Sequence, residues 1–378
     1  MINCQKKLFS ISNNIHYFNC AYMAPILKSA ELASIKAIEK QRNPINFKPN
    51  NFFDHSQEIR IEYSKIINSK PNEIAIMPST SYGFSSVLNN IYPQKNKTNV
   101  VTIENEFPSG YFAIKKWSET NNKKLIVVEQ KNMSPEKWNE KIVEQITTST
   151  SIVLLSSVHW MNGTKLNLKE IGEKCKKVDA YFIVDGTQSV GAAPIDVKSL
   201  NIDALICAAY KWLFGPYSMA LGYFSNKFND GIPIEESWMN RLNAHQFNEL
   251  TNYDSRYTAE AGRYNVGQTS NFILTPIILE GLKQLNKWGI ENISEYCKNL
   301  SSKTRELCEP LGIKFQDQNY SSSHLFSLEL NNKNNIIELK EKLEKNNIYV
   351  SVRGEFLRIS VNVFNDIKDI EKLVETLK

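Results

Sequence analysis

The chain has 378 residues, 42% of them hydrophobic and 22% charged, the balance of a soluble folded protein with room for one large domain and a smaller one. Its 45 Lys+Arg against 40 Asp+Glu leave a net charge of +5, too even for an electrostatic footprint on nucleic acid, and no apolar run reaches the ~18 residues of a membrane helix. Six cysteines without a CxxC pair and five histidines without an HExxH spacing predict no metal site; with MINCQKKLFSISNN lacking the apolar stretch of a signal peptide, cytoplasmic residence is expected.

Along the chain, Leu27 to Gln41 reads as a helix. From residue 73 onward, short runs rich in Val, Ile, Leu and aromatics alternate with amphipathic stretches, the pattern of βαβ units and a largely parallel sheet. The predicted strands are Glu73 to Met77, Asn99 to Ile103, Lys124 to Val128, Ile152 to Ser156, Ala180 to Asp185, Asp203 to Cys207 and Ala220 to Phe224. Helices are predicted over Ser81 to Asn90, Pro135 to Thr148, where Ser134-Pro135 supplies an N-cap and Pro at N1, and Leu168 to Val178. After residue 270 come a long helical region from Thr275 to Leu311, a strand at Leu325 to Leu330, a helix around Asn335 to Asn346, two short strands and a terminal helix. The class is α/β followed by a smaller α+β layer.

Two segments stand out chemically. In Tyr181-Phe182-Ile183-Val184-Asp185-Gly186-Thr187-Gln188-Ser189-Val190-Gly191 a buried strand ends on Asp185, where ligands bind in open α/β sheets. Taken alone, Asp185 reads equally as a turn or cap aspartate. Downstream, Lys211 lies in Ala209-Tyr210-Lys211-Trp212-Leu213-Phe214-Gly215-Pro216. An ammonium among aromatics is costly to desolvate, which favours a neutral, nucleophilic amine, although a surface lysine snorkelling past Trp212 fits the same letters. Ser79-Thr80-Ser81, between a strand and a helix, offers hydroxyls and free backbone N–H groups to an anion, or is a plain N-cap cluster.

Val184-Asp185-Gly186-Thr187-Gln188-Ser189-Val190-Gly191 together with Tyr210-Lys211-Trp212-Leu213-Phe214-Gly215-Pro216-Tyr217 resembles the pyridoxal-phosphate enzymes of fold type I, in particular the class V aminotransferase group with its cysteine desulfurases, kynureninases and isopenicillin N epimerase-like proteins. The resemblance runs from Tyr17-Phe18-Asn19-Cys20-Ala21-Tyr22 to Arg358-Ile359-Ser360. It implies pyridoxal phosphate as cofactor, with Lys211 as the Schiff-base lysine, Asp185 against the pyridinium nitrogen, Gln188 on the phenolic oxygen, Thr80 and Ser81 on the phosphate, and Phe107 stacked on the ring. Where the group often has a Ser and a His before the lysine, this chain has Ala208 and Tyr210, so one hydroxyl is missing and Tyr210 would substitute for the His. Gln268 and Thr269 resemble the segment that reaches the phosphate from the partner subunit of a homodimer. Trp160 stands where desulfurases have an Asn, leaving His159 or Asn162 to reach the phenolic oxygen. Arg358 would clamp the substrate carboxylate, with Arg353 as a second basic group.

The resemblance further implies a large cofactor-binding domain over 21–265 with a mostly parallel mixed sheet, a small domain over 266–378, and a segment 1–20 packing near the small domain or the active site. The expected activity is on an amino acid, as an aminotransferase, epimerase or C–S/C–C lyase. A standard cysteine desulfurase is not expected, because its cysteine would fall between Arg353 and Arg358, where only Gly-Glu-Phe-Leu is found; Cys20 is the one thiol that would serve such a role. A catalytically silent cofactor-binding relative acting through a protein partner is the alternative from another class, and a nucleotide-binding enzyme is opposed by the lack of GxGxxG and Walker sequences.

Overall fold

A computed structural model describes residues 2–328 and 336–378. In chain order the elements are β1 (His16–Tyr17), α1 (Lys28–Gln41), α2 (Asp54–Ile66), β2 (Ile74–Met77), α3 (Thr80–Leu88), β3 (Asn99–Ile103), α4 (Pro108–Thr120), β4 (Lys124–Val128), α5 (Pro135–Gln145), β5 (Thr150–Ser156), α6 (Leu168–Val178), β6 (Tyr181–Asp185), β7 (Ala204–Ala208) and β8 (Ala220–Phe224). After a long irregular stretch follow α7 (Thr275–Trp288), α8 (Ile290–Cys308), β9 (Leu325–Leu328), α9 (Ile336–Lys345), β10 (Ile348–Tyr349), β11 (Ser351–Arg353), β12 (Phe356–Ser360) and α10 (Ile367–Leu377).

The main sheet has seven strands in the order β2-β8-β7-β6-β5-β3-β4. Strands β7, β6, β5, β3 and β4 pair in parallel, and β8 alone runs antiparallel, to β7 on one side and β2 on the other. Both faces are covered, which is why the strands are apolar at nearly every position rather than at alternate ones. Ile76, Val101, Val153, Val184 and Leu205 join one core, while Met77, Val100, Ile152, Ile183 and Ile206 join the other, with Phe84 of α3 and Ile114 of α4. Each such fully buried side chain contributes roughly 1.5–3 kcal/mol.

The second sheet, β11-β12-β9, is antiparallel, and β1 pairs in parallel with β10, so the N-terminal segment joins the C-terminal layer. The long helical region expected from Thr275 to Leu311 is two helices, because Gly289 at φ 79° breaks it. The helix expected to reach Thr148 ends at Gln145, and α3 begins at Thr80 because Ser79 is its cap. Residues 329–330 of the strand expected to end at Leu330, and Asn335 of the following helix, lie outside the described residues. No helix among the described residues is long and apolar enough to cross a membrane.

Candidate active site

The chemistry-bearing residues follow the carboxyl ends of the strands. Beyond β2, Ser79 caps α3 by accepting a hydrogen bond from the Tyr82 amide (3.2 Å), and its hydroxyl is 2.9 Å from that of Ser81. Asp185 ends β6, and its Oδ1 accepts from the Thr187 amide at 2.8 Å. Thr187 Oγ1 in turn accepts from the Ala208 amide at 3.1 Å, tying this turn to the end of β7. Three residues after Ala208 comes Lys211, in a loop closed by the Ala208/Ala220 pair and by Ala209 N–H donating to the Met219 carbonyl at 3.0 Å. Gly191, at φ 96°, packs so closely under this loop that a Cβ would stand 2.4 Å from the Trp212 carbonyl oxygen, so only glycine lets the two turns meet.

These turns enclose a cavity of about 310 Å³ bordered by Thr80, Ser81, Phe107, Asp185, Gln188, Tyr210 and Lys211. An adjoining cavity of about 390 Å³ shares Phe107, Trp160, Tyr210, Tyr217 and Lys211 and adds Arg353 and Arg358. Gln268 and Thr269 do not border either one. Thr269 faces a separate cavity with Met239 and His245, so one chain does not bring this segment to its own Lys211.

Lys211 is 6% exposed, its Nζ lying 5.6 Å from the Phe107 ring centre and 5.5 Å from that of Tyr210. Burial pushes its amine down to about 8, against the opposing pull of Asp185. Asp185 is itself raised by burial, with its Thr187 hydrogen bonds and Lys211 working the other way. Arg358 is 2% exposed; Nη1 donates to the Trp160 carbonyl at 2.6 Å, while Nε and Nη2 are buried and meet no hydrogen-bonding partner among the described residues. A guanidinium held dry and half-partnered calls for an anion.

The Gln188 amide is oriented by its neighbours: the donor-only Trp212 indole N–H reaches Oε1 at 2.9 Å, and Nε2 donates to the Ala21 carbonyl at 3.1 Å. One Nε2 hydrogen is left to point elsewhere. His159 and Asn162 do not border the cavity; they bond each other (Nδ1 to Oδ1, 2.9 Å), and the half-buried Trp160 borders it instead, anchored by Nε1 donating to the Asn105 carbonyl at 2.7 Å. Ser109, Ser156 and Ser218 also line the cavity wall, with the buried Glu106 behind it, and nothing in the sequence singles them out, since serines are common and burial of an acid is not visible in its neighbours. The wall thus combines a buried amine, a carboxylate, a cluster of hydroxyls at a helix start and aromatic faces, a set that suits a flat ring bearing an anionic arm.

Residues 48–373 match the Aminotransferase class-V family. The chain is 25% identical to the uncharacterized aminotransferase YcbU of Bacillus subtilis, over 74% of this chain and 72% of that protein. It is 25% identical to an uncharacterized aminotransferase of Schizosaccharomyces pombe (99% and 94%), and 26% identical to the kynureninase of Bacillus mycoides (65% and 58%). Its fold is that of the cysteine desulfurase from Thermococcus onnurineus, with a TM-score of 0.82 at 18% identity over 100% of this chain and 98% of that one. The chain belongs to the class-V aminotransferase family and is a pyridoxal-phosphate-dependent enzyme of fold type I.

Proposed function

We propose that this enzyme acts on an amino acid by holding pyridoxal phosphate covalently through Lys211. The observation that carries the reading is the juxtaposition of a buried amine, lowered to about 8, with a buried carboxylate in one cavity. The residues fit the group. Asp185 would face the ring nitrogen and Phe107 the ring plane; Thr80 and Ser81 would hold the phosphate at the start of α3, and the spare Nε2 hydrogen of Gln188 would serve the phenolic oxygen. Tyr210 closes the same wall. When bound, the cofactor supplies an electron sink for a carbanion beside the substrate nitrogen. Asp185 would hold a proton on the ring nitrogen, and the Lys211 amine is the group suited to take and return a proton at the substrate α-carbon.

Arg358 would bind the α-carboxylate with its two unpartnered donors, and Arg353 adds positive charge beside it. Gln268 and Thr269 would complete the phosphate site from a second copy, making the working unit a homodimer. We further divide the chain at 265–266 into a cofactor-binding domain over 21–265 and a C-terminal domain, with 1–20 packed on the latter, and place the enzyme in the cytoplasm.

A standard desulfurase does not suit this chain. Arg353 pairs directly with Phe356 across a tight β11–β12 turn, leaving no mobile loop, and Cys20 is fully buried, accepts from Asn362 Nδ2 at 3.2 Å, and is pushed up to about 12 by burial. Amino transfer, epimerisation and side-chain cleavage all use this set of residues. The test is to reduce the cofactor-loaded protein with borohydride, map the pyridoxyl label, and supply a panel of amino acids. A label on Lys211 is expected, with ketoacid, inverted amino acid, alanine or sulfide identifying the reaction; a label elsewhere, or no label, overturns the proposal.

A further inference from the structure

Glu106 is a buried acid, 4% exposed, that the chemistry above does not use. It sits in the turn between β3 and α4, and its carboxylate joins two walls of the Lys211 cavity. Oε1 accepts from the Phe107 amide at 2.7 Å; Oε2 accepts from the Ser156 amide at 2.6 Å and from the Ser156 hydroxyl at 3.1 Å. Phe107 and Ser156 both border the cavity, and Ser156 stands opposite Asp185 in the β5–β6 register. No lysine or arginine pairs with this carboxylate among the described residues, and burial, then Asp185, pushes it up to about 8. A buried acid that receives three hydrogen bonds from the two segments flanking the proposed ring site does more than fill space.

We propose that Glu106 is a positioning residue for the cofactor: it fastens the Phe107 face and the Ser156–Asp185 end of the sheet at one fixed separation, so that the ring is gripped in a single plane. This rests on the cofactor site proposed above. Glu106→Gln keeps the shape and one acceptor but sets its amide N–H₂ against the N–H of either Phe107 or Ser156, replacing a bond with two opposed donors. The opposed donors push the two segments apart in the free protein, and closing them on the ring again draws on binding energy, so cofactor binding is expected to weaken by about 5- to 150-fold.

The experiment titrates cofactor-free protein with pyridoxal phosphate and reads visible absorption and induced circular dichroism, the latter normalised to bound cofactor so that it reports ring orientation rather than occupancy. Glu106→Gln is expected to weaken binding within that range and to lower or shift the normalised dichroism, and Ser156→Ala to do both to a smaller degree. In a Phe107→Leu background, where the ring face is already lost, Glu106→Gln is expected to add no more than about twofold. Wild-type binding and dichroism in Glu106→Gln, or full additivity with Phe107→Leu, overturns the proposal. Should Glu106→Gln fail to fold, the Ser156→Ala and Phe107→Leu pair decides: coupling supports it and additivity overturns it. A wild-type protein that gives no visible band overturns the cofactor site itself, a result distinguishable from a normal band that is indifferent to Glu106.

Discussion

Replacing Arg358 by Met keeps most of the side-chain volume and removes the charge. In the enzyme with substrate bound, the α-carboxylate would then lie in a dry site without its cation, which costs about 2–5 kcal/mol, or roughly 30- to several-thousand-fold in kcat/KM. In the free protein the balance is different. The Trp160 carbonyl loses its 2.6 Å partner, a cost of about 1–3 kcal/mol, but the buried Nε and Nη2, which have no partner to lose among the described residues, no longer have to be kept out of water. The two effects oppose each other, so the thermal midpoint is expected to stay within a few degrees of the parent while turnover collapses. The assay pairs steady-state kinetics on the best amino acid, and on the corresponding amine without a carboxylate, with a thermal melt and the visible spectrum. Equal loss on both substrates, or a large drop in midpoint accounting for the lost activity, would refute the clamp.

Lys211→Ala is expected to abolish both the visible band and turnover, and persistence of a covalent cofactor adduct would be incompatible with its role. Because burial lowers the Lys211 amine to about 8, it is the neutral amine that predominates above that pH; in cofactor-free protein its reaction with an amine-selective reagent should rise through a midpoint near 8, well below that of surface lysines near ~10.4, and a midpoint above 10 would contradict the burial argument. Asp185→Ala should still bind cofactor through the turn at Thr80 and Ser81 yet lose orders of magnitude in turnover, as measured by binding and kinetics side by side. Cys20→Ser should retain activity, and mass spectrometry after incubation with cysteine should find no persulfide; a persulfide on Cys20 would restore a desulfurase assignment.

The sheet was legible because its strands are short, apolar at both faces and separated by polar turns, and the observed ends differ from the expected ones by a residue or two. The break at Gly289 was not read because the apolar spacing of Leu282, Leu285, Ile290 and Ile293 continues across it, and a positive φ is visible only in the backbone. In the site, Asp185 and Lys211 were legible as a polar residue at a strand end and a lysine among aromatics. Glu106 was not: its burial is produced by Ser156, fifty residues away, whose amide and hydroxyl enclose it. At the turn around Trp160, His159 and Asn162 were expected to offer a contact to the phenolic oxygen; they bond each other instead, and Trp160 lines the cavity, which nothing in their order reveals.

The reversed direction of β8 has a practical consequence for handling the protein. Because β8 begins at the edge of the sheet where β2, β6 and β7 end, the loops bearing Ser79, Asp185 and Lys211 crowd one rim, and the opposite rim carries none of them. Tyr92 to Asn96, exposed just before β3 begins, lies on that far rim. A fluorophore or affinity peptide inserted after Lys95 should therefore leave cofactor binding intact, and would give the enzyme a handle for immobilisation that presents its reactive rim to solution.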